Sequence, residues 1–380
     1  MGSAASFELV HPAPSDVAAS VRSTLASLHG AAGGLVLLSG ASARQAPDFA
    51  AALADAVDVP LLLACGAGVM TERGEHDNTS AAVGLLWRGG SCSPFAFSAE
   101  EQPAGAEMGA RIAREVERRM EGRAGAAIVF AQPEVFPTTT IDAVRMPAGL
   151  RVQLLGGGVF GNPGAFAIFR SKVVSSDVVG LTLRGIAPPL VRASVACRLL
   201  GELRPVTEAE GALMLRIGGR SAIEELKDQA ERSPARELLV VAIEVGRDPA
   251  GQRPRLVLRG IRGIHESRGG LVISEEIEVG TPVAFAVRDP AAARADLETT
   301  LREMSREMAG SMPRFGIYVD CAGRGSDMYG VGNVDLDLIR NRFPGLPLVG
   351  IRTSFEIGPG RLGSTIHLYS GVLSLFGSPS

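Results

Sequence analysis

Cysteine is scarce in this chain and widely spaced. Cys65, Cys92, Cys197 and Cys321 form no Cys-x-x-Cys pair, and the histidines, His11, His29, His76, His265 and His367, show no ligand spacing. The pattern excludes a zinc module and a disulfide scaffold, and it fits a reducing cytoplasm. No stretch approaches the roughly 20 uninterrupted apolar residues of a spanning helix, and the start has no basic segment followed by an apolar core. The expectation is a soluble, cytoplasmic protein with no membrane partner. Blocks of like charge are missing as well, and the net charge is −3. The electrostatic footprint of a nucleic-acid binder is therefore absent.

The short motifs of the common enzyme classes are also missing. There is no Gly-x-Ser-x-Gly elbow, no His-Glu-x-x-His and no Walker loop. Gly156-Gly157-Gly158-Val159-Phe160-Gly161 has the spacing of a dinucleotide loop. That loop needs a helix directly after it to present N-terminal amides, whereas Asn162-Pro163-Gly164 and a strand-like Ala165 to Arg170 follow. No cofactor and no metal are indicated.

What is present is a globular composition, 380 residues of which 46% are hydrophobic, enough for two domains with their own cores. A weak repeat organises it. Gly34 to Ser39, Ala126 to Ala131 and Phe315 to Asp320 each read as a buried strand. Each leads through a loop to a second short strand ending in small residues, Leu61 to Ala64, Val152 to Leu155 and Leu346 to Val349. A third strand follows: Ser80 to Trp87, Ala165 to Phe169 and Thr365 to Leu375. Helical spacing marks Pro47 to Val57, Glu101 to Glu121, Ser221 to Glu231, Ala291 to Ala309 and Asp335 to Arg342. A further strand-rich region runs from Glu237 to Val287. The predicted class is α+β, with mixed, mostly antiparallel sheets built from recurring β-α-β-β units. Two domains are expected, residues 1–195 and 196–380.

The last third carries the richest chemistry. The apolar strand Phe315 to Val319 runs into Cys321-Ala322-Gly323-Arg324-Gly325, and Pro347 to Gly350 runs into Arg352-Thr353-Ser354 and then Phe355-Glu356-Ile357-Gly358-Pro359. Strand ends of this kind gather binding groups, because the sheet holds the loop while glycine lets backbone approach a ligand.

These two segments resemble the FIST family, the "F-box and intracellular signal transduction" domains, which close a strand with Cys-Asn-Gly-Arg-Gly and later carry Gly-Glu-Ile-Gly-Pro. Leu63 to Met70 is similar to the family's Gly-Cys-Ser-x-x-Gly-Val-Ile turn, Leu155 to Gly158 to its Val-Gly-Gly turn, and Ser274 to Gly280 to its Asp-Glu-Val-x-Val-Gly segment. Ala322 stands at the family's Asn, Phe355 at its Gly, and Val334-Asp335 at an expected His-Asp pair. The resemblance implies an N- and C-terminal division, a sensory role with amino acids or their derivatives as ligands, a downstream signalling partner, and no reaction. It points to Cys321, Gly323, Arg324, Gly325, Glu356 and Gly358, and to Cys65, Gly66 and Gly157 in the first half. Arg352, Thr353 and Ser354 follow the second strand closely enough to line the same pocket. Arg324 offers a planar guanidinium for a carboxylate and Glu356 an acceptor for an ammonium. Two other readings stay open: an enzyme using Cys321 as a thiolate activated by His367, and a non-catalytic scaffold. Oligomeric state is not legible.

Overall fold

The structure, a computed structural model, describes residues 3–100, 104–232, 239–248, 251–308, 311–361 and 363–377. They form two compact units. The first comprises residues 1–193, 297–366 and 370–380, and the second comprises residues 194–296 and 367–369. The expected division at 195/196 lies beside the start of the second unit, and nearly all residues after Asp296 group with the first.

The first unit is built from three repeats and three six-stranded sheets. The first repeat supplies β1 (Gly33–Ser39), β2 (Leu61–Cys65), β3 (Gly68–Thr71), β4 (Glu75–Asp77) and β5 (Ala81–Trp87). The second supplies β6 (Gly125–Ala131), β7 (Val152–Gly158), β8 (Ala165–Phe169) and β9 (Val178–Arg184). The third supplies β10 (Phe315–Cys321), β11 (Leu348–Thr353), β12 (Glu356–Pro359) and β13 (Ser370–Phe376). Each sheet has a parallel pair at its centre, β1 with β2, β6 with β7 and β10 with β11. An antiparallel partner flanks each lead strand, β5 on β1, β9 on β6 and β13 on β10. Parallel neighbours need a crossover between them, and short helices supply it: α1 (Ala46–Ala56) in the first repeat, Thr138–Asp142 in the second, and α2 (Ser326–Tyr329) with α3 (Val334–Arg342) in the third.

The outer edge of each second strand is filled from a different repeat. β2 pairs with β8 of the second, β7 with β12 of the third, and β11 with β3 of the first. The repeats thus pass one strand each around a closed ring. This corrects two expectations. Ala165–Phe169 is a strand but does not complete its own repeat, where Val178–Arg184 takes that place. The expected strand over 365–375 is two, Ser364–His367 and Ser370–Phe376, on different sheets. A repeat in sequence fixes the order of strands along the chain but not the edge they seek, and β2, buried along its whole length, needs a neighbour on both sides.

Period-2 alternation then divides the side chains between two layers. Leu35, Leu37 and Leu62 of one sheet, Ile128, Phe130 and Leu155 of the next, and Ile317, Val319 and Ile351 of the third meet in one central core. Trp87, Phe315 and Phe376 stack within it, with ring centroids 5.4 and 4.3 Å apart. On the outer faces, Val36, Leu38 and Leu63 pack on Val17 and Val21 of the helix Pro14–Ser27 and on Phe49 and Leu53 of α1. Tyr318 and Leu348 pack on Leu336 and Ile339 of α3 and on Leu297, Leu301 and Met304. The last three lie on the helix Pro290–Glu307, where the expectation ran on to 309; residues 309 and 310 lie outside those described. The expected helix from Glu101 begins at Ala106 after Gly105, and 101–103 also lie outside them.

The second unit is an antiparallel barrel. Arg204–Glu210, Leu213–Ile217, Gly270–Ile273, Pro254–His265 and Val240–Arg247 pair in turn, and Pro282–Arg288 closes the ring by pairing with both the first and the last. Met214, Val241, Val257, Leu271 and Phe285 fill it. The helix Ala222–Arg232 accompanies it. Among the described residues no helix is long and apolar enough to cross a membrane.

Candidate functional site

At the ends of the parallel pairs, the outward-facing residues opposite one another are Leu38 and Cys65 in the first repeat, and Ala131 and Gly158 in the second. In the third they are Asp320 and Arg352. The same position in the fold is apolar twice and ionic once, and the chemistry collects at the ionic copy.

Arg352 is 2% exposed and Asp320 is fully buried. The Arg352 Nη2 lies 3.1 Å from Glu75, its Nη1 is ion-paired to Asp77, and its Nε is 3.4 Å from Asp320 Oδ2. Glu75 and Asp77 belong to β4, which reaches this sheet because β3 has been passed to β11. Asp77 also accepts from the Ser326 amide (3.1 Å) and hydroxyl (2.9 Å), which anchors α2. Burial drives the Arg352 pKa down, partly opposed by Glu75.

Arg324 is held a short way along the same loop. Its Nε donates to Asp335 Oδ2 at 2.8 Å and its Nη2 to Oδ1 at 3.1 Å. Tyr318 donates to Oδ2 (2.9 Å) and Tyr329 to Oδ1 (2.7 Å), so both oxygens of Asp335 are doubly served. Burial works against the charge on Arg324, but Asp335 outweighs it and the guanidinium pKa rises. Burial raises both tyrosines. The fork that the sequence reading aimed at a ligand carboxylate is engaged within the protein by Asp335.

Glu356 is fully buried at the start of β12, paired in register with Gly157. Neither of its oxygens, nor either oxygen of Asp320, has a hydrogen-bond partner of normal geometry. Burial pushes the Glu356 pKa well up, eased in part by Arg324, the Ser370 amide and the Thr353 hydroxyl. Asp320 is also pushed well up, first by burial and then by the carboxylates of Asp335 and Glu75. Among the described residues no three His, Cys, Asp or Glu side chains are grouped to hold a metal ion.

The glycines make room for the protein's own groups. A Cβ on Gly325, where φ is +68°, would lie 2.2 Å from Arg352 Cζ. On Gly66 it would meet Ile351 at 2.4 Å, and on Gly157 the Phe355 carbonyl at 2.3 Å and the Thr353 hydroxyl at 2.9 Å. Cys65 is a core residue whose thiol burial pushes up to about 12. Backbone hydrogen bonds join its neighbour Ala67 to the Arg352 carbonyl, Ala322 to Thr353, and Gly158 and Ser354 across β7 and β12. The structure therefore brings Arg352, Thr353, Ser354, Glu356, Gly157 and the Cys65-Gly66 turn to one ring of strand ends. Gly358 is buried further along β12. Cys321 is half-buried, its Sγ accepting from the Gly323 amide at 3.4 Å, while His367 groups with the second unit.

Sequence reasoning missed Asp320, Asp335, Glu75, Asp77, Tyr318 and Tyr329. Asp320 had a signal of its own, a carboxylate ending an otherwise apolar strand.

The FIST N domain model matches residues 34–220 and the FIST C domain model residues 220–359. The Mycobacterium tuberculosis protein named "Uncharacterized protein MT0656" is 30% identical over 382 residues, covering 97% of this chain and 96% of its own. The Mycobacterium bovis protein named "Uncharacterized protein Mb0898c" is 29% identical over 368 residues, 92% of each. With both domain models matching in order and a relative aligned almost end to end, the chain belongs to the FIST family, whose domains are associated with small-ligand sensing in signal transduction.

Proposed function

We propose that this protein is a small-ligand sensor whose binding site is the ionic strand end of the third repeat. The observation that carries the reading is the pair Glu356 and Asp320, two fully buried carboxylates without hydrogen-bond partners of normal geometry. An uncompensated buried charge costs several kcal/mol, so such a group takes a proton or meets a cation. A ligand bearing a positive group, as an amino acid or its derivative does, supplies that cation. Arg324 and Arg352 act as positioning residues: the first holds the Cys321 to Asn333 loop through Asp335, and the second ties β11 to β4.

The α2 segment is the natural reporter. It is fastened through Asp77 at its start and through the contacts of Tyr329 with Asp335 and Arg324 at its end, between Gly325 and Gly330, both at positive φ. A ligand that altered the charge on Asp320 would be felt by Arg352 and hence by Asp77. A downstream signalling protein would read that segment, and the reading needs no reaction. Native mass spectrometry of the purified protein, followed by a metabolite panel read by melting temperature, tests it. A retained or stabilising small molecule whose effect is lost in Glu356→Gln supports the reading; no retained mass and no shift across the panel sinks it.

A further inference from the structure

We infer that residues 325–333, which carry α2, form a lid over the Arg352 guanidinium, latched by Asp77 and Glu75, that opens while the sheet beneath it stays folded. The motion belongs to the protein itself and needs no ligand. What covers Arg352, what fastens the cover and where it turns lead there separately.

Gly325 is the cover. Its backbone lies so close to the guanidinium that a Cβ, built at φ +68°, would stand 2.2 Å from Arg352 Cζ and Nη2. Arg352 beneath it is 2% exposed, yet its three guanidinium nitrogens have no hydrogen bond of normal geometry. Glu75, Asp77 and Asp320 balance the charge. A buried donor with no acceptor in line still gives up its water at a cost, and lifting Gly325 returns that water.

The segment is bonded mainly to itself. The Met328 and Tyr329 amides donate to the Gly325 carbonyl, and the Gly330 amide to the Ser326 carbonyl. Its polar ties to the rest of the unit run through β4, Arg324 and Asp335. The Ser326 amide and hydroxyl donate to Asp77 Oδ2 at 3.1 and 2.9 Å. The Asn333 amide donates to Glu75 Oε2 at 2.7 Å, and the Glu75 amide returns a bond to Asn333 Oδ1 at 2.9 Å. Tyr329 stands between Arg324 and Asp335. Met328 is the buried apolar side chain of α2, whereas Val331 is 61% exposed. By contrast, β10 and β11 are buried almost throughout and have a strand on each side. Segments with few buried apolar contacts open at lower free energy than such strands.

Hinges stand at the ends and in the middle. Gly325, Gly330 and Asn333 have φ of +68°, +71° and +65°, a region that glycine and asparagine enter at least cost. A Cβ on Gly330 would meet nothing within 4 Å, so the chain has room to turn there, and a few such residues can absorb the dihedral change of an opening segment.

Two probes on the full chain test this, each read by mass spectrometry at one pH: hydrogen exchange, and p-hydroxyphenylglyoxal, which modifies arginines that solvent reaches. The expected result is that Arg352 is at least tenfold less protected from the reagent than the β10 and β11 amides are from exchange. Ser326→Ala, which removes one latch bond, should lower the protection of Arg352 and of the 326–333 amides at least threefold. It should leave β10, β11 and Arg259, a 1% exposed arginine of the second unit, unchanged. Arg352 as well protected as those strands overturns the lid, because it is then reached only by unfolding. Protection of Arg352 untouched by Ser326→Ala overturns the latch and the lid with it. The first comparison uses the unaltered protein, so it stands even where the variant fails to fold, and either failure leaves the sensor reading in place, since ligand retention is measured separately.

Discussion

Asp320 and Arg352 lie opposite each other across the parallel β10/β11 pair, yet their nearest atoms, Oδ2 and Nε, approach only to 3.4 Å and form no hydrogen bond. Arg352 turns its terminal nitrogens to Glu75 and Asp77 instead. Asp320 is left with a guanidinium beside it and no donor on it.

Neutralising the buried acids should stabilise the ligand-free protein. Their folded pKa values are raised, so the native state holds protons that the unfolded state releases, and stability falls as pH rises. The loss begins above their ordinary values of 4.5 and 3.8 and continues toward the raised folded ones. Glu356→Gln and Asp320→Asn should each gain on the order of 1–3 kcal/mol near neutral pH, with the gain shrinking toward about pH 4. Urea titrations across that range check it, and a gain independent of pH would contradict the assignment.

Asp335→Ala should be among the most damaging single changes in the third repeat. It strands a fully buried guanidinium and two tyrosine hydroxyls at once. Breaking a buried pair by removing one partner costs about 3–5 kcal/mol. Tyr318→Phe removes one hydrogen bond and should cost about 1 kcal/mol. Chemical denaturation of the two variants should rank them in that order.

Gly325 and Gly330 provide a matched comparison. Both have left-handed φ, +68° and +71°, but a Cβ would strike Arg352 at the first and find nothing within 4 Å at the second. Gly330→Ala should cost only the backbone term of about 1–2 kcal/mol, whereas Gly325→Ala should cost more and should also displace Arg352. Equal losses in thermal melts would show that the close approach does not matter.

The thiols should separate by rate. Burial pushes Cys65, Cys92 and Cys197 up to about 12, and the thiolate is the reactive form. Cys321 is half-buried at the strand end, so a maleimide at mild alkaline pH should label it first. Mass spectrometry of the digested adduct would identify the site.

The third repeat's strands were legible because apolar runs such as Phe315 to Val319 stop at glycine-rich turns, a local signal. The α+β class followed from strands and helices alternating irregularly, as observed. The destination of the strands was not legible. Whether Ala165–Phe169 pairs with β6 or with β2 depends on which edge is open in three dimensions, and no residue in the segment records that. For the same reason Arg352 and Thr353 could be named from their place after a strand, while Glu75 and Asp77 could not. They enter from the first repeat, brought by a pairing between Val69 and Ile351 that spans most of the chain. Arg324 was read as an open fork because its partner Asp335 lies beyond the turn, in the following helix.

The ring of passed strands also governs how the protein is made. During synthesis β3 and β4 leave the ribosome long before β11 exists to receive them, and β7 must wait for β12. Contacts this distant in sequence form slowly, so the emerging chain carries open sheet edges until its last segment arrives. A nascent product stopped at residue 220, where the two domain models meet, would hold Glu75 and Asp77 with no Arg352 to neutralise them. The ionic cluster around Arg352 is thus assembled from both ends of the chain and is complete only once β11 has been made.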